Sequence, residues 1–142
     1  MNATPAKMRP TPIPSWTTQF FWDAAREGKL ALQYDPVAER YQFWPRAISV
    51  ATGRQNLEWR IASGRGQVYS YTVIHVPAPG LEDRVPDVVA LVELEEGVRI
   101  LANLINVEPA EVKIGMPVKV AFEKITDEVD YFAFEPAQTR RR

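Results

Sequence analysis

One long run of strand-forming residues, from Gln67 to Val76, constrains the fold of this chain more than any other segment. Almost every residue in it is β-branched, aromatic or a small hydroxyl residue, the types that favour strands. Gly64 and Gly66 precede the run, and Pro77 ends it. A long strand that opens on glycines can bend sharply, so this pattern is typical of the first strand of a small closed barrel.

Both faces of this predicted strand carry side chains to bury. Strict alternation places Val68, Ser70, Thr72, Ile74 and Val76 on one face and Tyr69, Tyr71, Val73 and His75 on the other. Since neither face is simply polar, the pattern predicts packing on both sides of the strand.

Length and composition set the scale of the fold. The 142 residues, of which 46% are hydrophobic and 25% charged, predict one main domain with one ordinary core. The chain has no cysteine, so it can form neither disulfides nor a cysteine-ligated metal site. No apolar run approaches the ~18 residues of a membrane span, and residues 1–14 lack the apolar region of a signal peptide. We therefore expect a soluble cytoplasmic protein without a membrane partner.

The charge balance argues against nucleic acid as a partner. The formal net charge is −1 and the sequence pI is about 5.9, so no general attraction to phosphates is expected. Arg140 to Arg142 form a basic cluster, but a terminal triplet of this kind is more typical of a solvated tail.

Aromatic residues dominate the first periodic element. Residues 1–14 are rich in proline and predict an extended arm. A hydroxyl residue then caps a helix that runs to about Glu27 and stops at the following glycine. The candidate caps are Ser15, Thr17 and Thr18, and the apolar positions of the helix are Trp16, Phe20, Phe21, Trp22, Ala24 and Ala25.

Two interpretations of these aromatic residues stay open. They can cover the chain's own core, or they can dock on another protein, since exposed aromatic patches mark interfaces. A second aromatic group, at positions 41–44, offers the same choice. The partner-binding candidates are Phe20, Phe21, Trp22, Tyr41, Phe43 and Trp44.

The remaining elements predict a mainly β fold. Residues 34–57 lack strong periodicity, which is uncommon in a compact domain unless something holds the segment. Strands are expected over residues 30–33, 57–61, 67–76, 88–94, 98–104, 118–125 and 131–134, with a hairpin turn at 95–97 and one helical turn within 106–111. The last five strands, with a helical turn after the third of them, match the order of a five-stranded OB-fold barrel.

Several segments together resemble the zinc-ribbon and OB-fold family of acyl-CoA-associated proteins, long filed as a domain of unknown function. The segments are residues 21–30 (FWDAAREGKL), 42–46 (QFWPR), 57–59 (LEW), 63–72 (SGRGQVYSYT) and 115–118 (GMPV). Each alone is weak, but the joint pattern covers the chain from about Ser15 to Pro136. The resemblance implies a helix at 15–29, a rubredoxin-like ribbon segment at 30–60, an OB-fold domain at 61–136 and a basic tail at 137–142.

The chain departs from this family at the metal site. Family members typically carry two Cys-x-x-Cys pairs that supply four thiolates to zinc. The corresponding positions here are Asp35, Ala38, Ser49 and Thr52. One carboxylate and two hydroxyls do not replace four thiolates, so we expect a degenerate ribbon with no zinc. Packing of Tyr34, Tyr41, Phe43, Trp44 and the prolines is then expected to order the segment.

The resemblance also implies a function. Its members accompany thiolase-like or lipid-transfer-type condensing or aldol-cleaving enzymes, or hydratases, that act on acyl-CoA. This chain is thus expected to be a non-catalytic accessory subunit of a thiolase-like or lipid-transfer-type enzyme, with two copies of each chain and with acyl-CoA as a ligand. The candidate ligand residues are Arg65, Tyr69, Tyr71 and His75.

Two alternatives come from other classes of protein. A stand-alone acyl-CoA hydrolase or hydratase would need a catalytic set, but the single histidine, His75, is five residues from Ser70 on the opposite predicted face. We therefore assign no catalytic residue. An OB-fold binder of single-stranded nucleic acid could stack bases on Tyr69 and Tyr71, although it would need a basic groove. Glu93, Glu95 and Glu96 are expected to form a solvated turn.

Overall fold

The residues that the structure describes, 11–137 of a computed structural model, form one α-helix and eight β-strands. The elements are α1 (Gln19–Arg26), β1 (Ala31–Asp35), β2 (Arg40–Gln42), β3 (Glu58–Ile61), β4 (Arg65–Ile74), β5 (Asp87–Leu94), β6 (Arg99–Leu104), β7 (Pro117–Lys124) and β8 (Asp130–Pro136). Two 3-10 turns, Glu82–Arg84 and Pro109–Glu111, lie in the connections. The predicted basic tail lies largely outside the described residues, as does most of the predicted arm.

The strands form two sheets. The first three pair antiparallel in the order β2-β1-β3, and the other five close into a barrel in the order β4-β5-β6-β8-β7. The barrel closes where β7 pairs with the start of β4, with Lys119 opposite Arg65 and Val118 opposite Gly66. This arrangement confirms the predicted mainly β fold with one helix and a five-stranded barrel of the OB type.

Helix α1 begins differently from the prediction. Thr18 stands at its N-cap, but no side chain caps the helix. The Thr18 hydroxyl instead accepts a hydrogen bond from the Ser15 amide at 2.8 Å, within a turn that precedes the helix. The predicted end is close to the observed one, because Gly28 adopts a positive φ of 74° that favours glycine after a helix.

The segment without periodicity contains a short strand that the sequence does not reveal. β2 pairs antiparallel with β1, and Tyr34 lies opposite Tyr41. The rings of these two tyrosines are 4.7 Å apart. A strand of three residues is too short to show alternation, so only the pairing with β1 identifies it.

A β-bulge in β4 changes the predicted faces of the long strand. Val68 lies opposite Val92, but the next paired residue is Ser70, which lies opposite Leu91. Tyr69 is the extra residue of the bulge, so alternation restarts one position later. The prediction of two uninterrupted faces is therefore wrong beyond Val68.

After the bulge, the odd-numbered residues of β4 face the barrel interior. Tyr71 lies opposite the fully buried Ala90, and directly opposed residues share a face of the sheet. Thr72 lies opposite Val89 on the outer face. Tyr69 and Tyr71 thus do not form one continuous aromatic face.

The helix, the first sheet and the barrel share one hydrophobic core. Phe21 from α1 and Leu32 from β1 belong to the same buried cluster as Val68, Ile100 and Phe132 of the barrel. Within residues 11–137, no helix is both long enough and apolar enough to cross a membrane.

Candidate functional site

Two of the six predicted partner-binding residues are buried in the chain's own core. Phe21 is 1% exposed and Trp22 is 5% exposed. The Phe21 ring lies 5.6 Å from that of Phe132 in β8, and the Trp22 ring lies 5.7 Å from that of Tyr131. The expectation that Phe21 and Trp22 present a docking surface is therefore wrong, because these rings attach the helix to the barrel.

The second aromatic group takes part in the same junction. Phe43 packs edge to face on Phe132 at 5.8 Å, and Trp44 lies 5.7 Å from the same ring. Phe43 and Tyr41 are half-buried, whereas Trp44 keeps 41% of its surface exposed. Trp44 thus contacts the core while part of its side chain remains exposed.

The exposed aromatic surface lies on the other side of the helix. Phe20 is 48% exposed and stacks on Trp59 of β3, with ring centroids 5.0 Å apart and an interplanar angle of 20°. Trp16 is 83% exposed and lines a shallow groove together with Trp59 and Arg46. We name Trp16, Phe20 and the half-buried Trp59 beneath the Phe20 ring the exposed aromatic face.

Sequence reasoning selected only one member of this face as a partner residue. Trp16 and Phe20 are four positions apart, the spacing that places side chains on one side of a helix. That spacing was a usable signal for Trp16, although the helix itself begins only at Gln19. Trp59 carries no comparable local signal, since its stacking on Phe20 depends on the tertiary fold.

The four predicted ligand-binding residues do not converge. Arg65, at the start of β4, forms an exposed ion pair with Glu95 at 3.1 Å. Tyr69 lies under the Arg99 guanidinium, whose carbon is 3.7 Å from the ring centroid. Tyr71 lies opposite the buried Ala90 but is itself 38% exposed. His75 is exposed just beyond the end of β4. Of the four residues, Arg65 and Tyr69 each contact a charged side chain.

The acidic hairpin after β5 does more than form a solvated turn. Besides the ion pair with Arg65, the Glu96 carboxylate accepts a hydrogen bond from the Ser63 amide at 2.9 Å. A hydrogen bond from the Arg65 guanidinium is the main cause of a pKa of Glu95 below its ordinary value, and a hydrogen bond from the Ser63 side chain is the second cause. These contacts fasten the hairpin to the segment that joins β3 to the barrel. The expected turn is present with Glu95 exposed, and the contacts to Ser63 and Arg65 are an additional feature of it.

The four positions that the resemblance aligns with zinc ligands, Asp35, Ala38, Ser49 and Thr52, lie together. The Ser49 hydroxyl donates to Asp35 Oδ2 at 2.5 Å, and the Thr52 hydroxyl donates to the same oxygen at 2.9 Å. The amide of Ala38 donates to Asp35 Oδ1 at 3.1 Å. Asp35 and Ser49 are each 1% exposed.

Two further donors complete the surroundings of the carboxylate. The Val37 amide and the Asn56 side chain each donate to Asp35 Oδ1 at 2.9 Å. The Ser49 hydroxyl bond is the largest cause that lowers the pKa of Asp35 below its ordinary value of 3.8, while burial of the carboxylate opposes it. We name Asp35 with these five donors the Asp35 cluster. The structure thus orders this segment with a polar network and not, as expected, by aromatic packing alone.

Comparisons with known proteins identify the family. Residues 59–123 match the family model of the ChsH2 C-terminal OB-fold domain. The chain is 39% identical over 102 residues to a DUF35 domain-containing scaffold protein of Methanothermobacter thermautotrophicus, a match that covers 66% of this chain and 77% of that protein.

Two further relatives bear enzyme names. The chain is 40% identical over 133 residues to the 3-oxo-4,17-pregnadiene-20-carboxyl-CoA hydratase alpha subunit of Mycobacterium tuberculosis. That match covers 92% of this chain but only 40% of the relative, so this chain spans about two fifths of the relative's length. The solved Ltp2-ChsH2(DUF35) aldolase contains a chain that is 34% identical, with a TM-score of 0.78, and the match covers 89% of this chain and 98% of that one.

Three observations agree with one another: the OB barrel, the match to the ChsH2 C-terminal domain, and the identity to a DUF35 scaffold protein over 77% of its length. The chain belongs to the DUF35 family.

Proposed function

We propose that this chain is a non-catalytic accessory subunit that associates with a thiolase-like or lipid-transfer-type enzyme acting on acyl-CoA. The observation that carries the proposal is the match to the Ltp2-ChsH2(DUF35) aldolase, which extends over 98% of the matched chain. The match therefore extends over nearly the whole fold, at 34% identity and a TM-score of 0.78. Two copies of each chain are proposed for the complex, as the family resemblance implies. The cytoplasm is the proposed compartment.

The partial match to the hydratase alpha subunit supports the same division of labour. The aligned 133 residues make up 40% of that longer protein. The archaeal relative, of which 77% is matched, bears the name of a scaffold protein. We propose that this chain supplies the scaffold portion and that its partner supplies the reacting groups.

The exposed aromatic face is the docking surface we propose. Interfaces are anchored by tryptophan and other aromatic side chains that give up their exposure to water on binding. Phe20 and Trp16 are exposed, whereas Phe21 and Trp22 are buried within the chain itself. Stacking on Trp59 holds the Phe20 ring in place, so less side-chain entropy is lost when a partner covers it.

A pair of matched variants tests this docking surface. Trp16→Ala with Phe20→Ala should weaken binding of the thiolase-like partner about thirtyfold, because anchors of this kind contribute about 2 kcal/mol or more. The control is Leu101→Ala, which removes an apolar side chain that is 65% exposed on the outer face of β6. Titration calorimetry with the purified partner should find the control unchanged. Loss of binding in the control alone would move the docking surface to the barrel.

Acyl-CoA is the ligand we propose for the complex, with Arg65 as the residue that contacts a CoA phosphate. Its guanidinium is exposed and already holds a carboxylate, so a phosphate can take the place of Glu95. Arg65→Ala should then raise the KM of the complex for acyl-CoA by about tenfold, the usual effect of losing a charged hydrogen bond. Arg60→Ala is the control, because Arg60 also pairs with an exposed glutamate, Glu58, at 3.1 Å. An equal rise in both variants would reject a specific role for Arg65.

A further inference from the structure

The Asp35 carboxylate connects two turns that are far apart in sequence. One turn follows β1, and its amides at Val37 and Ala38 point at Asp35 Oδ1. The other turn begins at Ser49, whose hydroxyl oxygen accepts the amides of Ala51 and Thr52 at 3.1 and 3.2 Å. In each turn, a side-chain oxygen accepts hydrogen bonds from the amides two and three residues later, which is an Asx turn at Asp35 and the corresponding serine turn at Ser49. The two turns meet where the Ser49 hydroxyl donates to Asp35.

The hydrogen bonds of Asp35 leave no oxygen lone pair for a metal ion. An ionised carboxylate offers about four lone-pair sites. Oδ1 accepts from Val37, Ala38 and Asn56, and Oδ2 accepts from Ser49 and Thr52. Hydrogen-bond donors therefore occupy all acceptor sites of the carboxylate. A cation could bind here only by displacing these donors.

The neighbouring positions do not supply the missing ligands. Ala38 has no donor atom in its side chain, and the Ser49 hydroxyl is already engaged both as donor and as acceptor. Zinc in structural sites takes thiolates and imidazoles, and residues 11–137 contain no group of three or more histidine, cysteine, aspartate or glutamate residues that could hold a metal. The residues present at the family's zinc site do not fit zinc.

We propose that the Asp35 cluster is a metal-free substitute for the zinc site that the family resemblance implies, in which one buried carboxylate cross-links two turns that zinc and four thiolates would otherwise join. The negative charge sits at the centre with donors around it, the reverse of a cation surrounded by thiolates. The fold of residues 30–60 is then independent of zinc supply. This inference concerns the internal order of the segment and does not depend on which enzyme the chain binds.

Metal content and local amide exchange test the proposal on the full chain. Chain purified from zinc-supplemented culture should contain no stoichiometric zinc by elemental analysis, and its melting temperature should be the same with and without a chelator. In Asp35→Asn, exchange of the Val37 and Ala38 amides should speed up by about tenfold or more. The neutral carboxamide oxygen is a weaker acceptor than the carboxylate, and the new NH2 group faces the Ser49 and Thr52 hydroxyls. Asp127→Asn is the control, since that aspartate side chain is 99% exposed. About one zinc per chain, or unchanged exchange in Asp35→Asn, would overturn the proposal.

Two further variants keep the test valid if Asp35→Asn does not fold. Thr52→Val removes one donor while keeping the side-chain shape, and it should speed exchange of the same two amides by a smaller factor. A variant with Asp35→Cys, Ala38→Cys, Ser49→Cys and Thr52→Cys should bind one zinc, since four thiolates would then occupy the tetrahedral positions. Failure of this variant to take up zinc would contradict the placement of the two turns. None of these measurements involves the partner enzyme, so they leave the proposed function untouched.

Discussion

The hydroxyl of Ser49 donates a hydrogen bond of 2.5 Å to Oδ2 of Asp35, fourteen positions earlier in the chain, and both residues are 1% exposed. Hydrogen bonds between a hydroxyl and a carboxylate are at their shortest near this length. The relationship ties the turn after β1 to the turn that begins at Ser49. It places one ionised group at the junction of two turns in a segment that is otherwise mostly loop.

The stability of the chain should therefore fall in acid. The hydrogen bonds to Ser49 and the other donors lower the pKa of Asp35 below its ordinary 3.8, so the folded state prefers the charged form. A depressed carboxyl pKa adds stability that is fully present above the unfolded pKa and is lost as pH falls through the folded value. We expect the wild type to melt at a higher temperature than Asp35→Asn at neutral pH, and this difference should shrink progressively below pH 3.8. Thermal melts of the wild type and Asp35→Asn across this range check it.

The two curves should converge as the pH falls, because protonation removes the charge that the substitution removes. A constant difference between wild type and Asp35→Asn at every pH would show that the ionised form of Asp35 does not stabilise the fold.

Neighbouring phenylalanines in α1 should behave in opposite ways. Phe21→Ala empties a site that is 1% exposed beside Phe132, and large-to-small changes of this kind cost about 3–5 kcal/mol. Phe20→Ala removes a ring that is 48% exposed and stacked on Trp59, where an aromatic pair contributes about 0.5–1.5 kcal/mol. Chemical denaturation of the two variants gives both values. Equal losses would contradict the assignment of Phe21 to the core and Phe20 to the surface.

Gly66 should not tolerate a side chain. A Cβ at this position would collide with the backbone carbonyl oxygen of Glu93, across the β4–β5 pair. Backbone cannot move aside as a flexible side chain can, so Gly66→Ala should destabilise the barrel by about 1–3 kcal/mol. Gln67→Ala, at the exposed neighbouring position, serves as the control in the same denaturation experiment. A fully stable Gly66→Ala would mean that β4 and β5 lie farther apart at this point.

The strand order of the barrel was predictable because its signals are local. A nearly continuous apolar run marks β5, in which Val88, Ala90, Val92 and Leu94 are buried and the residues between them half-buried. Glycines and prolines mark the ends of most strands, and the order of strands and one helical turn then matches one barrel type. These signals need no knowledge of which segments meet.

The details that were missed depend on contacts between distant segments. No local pattern reveals that Tyr69 forms a bulge, because the extra residue shows only in the pairing of β4 with β5. The aromatic run at 20–22 looks equally suited to core and interface, and only the position of β8 decides that Phe21 belongs to the core. The role of Asp35 was hidden for the same reason, since its donors come from three separate parts of the chain.

Acyl-CoA turnover by the separate and combined subunits tests most directly whether this chain is an accessory subunit. The purified chain, a thiolase-like or lipid-transfer-type enzyme of the same genome, and their co-expressed complex should be assayed side by side, with light scattering to give the mass of the complex. We expect no turnover by the chain alone, full turnover by a complex with two copies of each chain, and lower solubility or activity of the enzyme alone. Turnover by the isolated chain, or the absence of any stable complex, would contradict the proposed function.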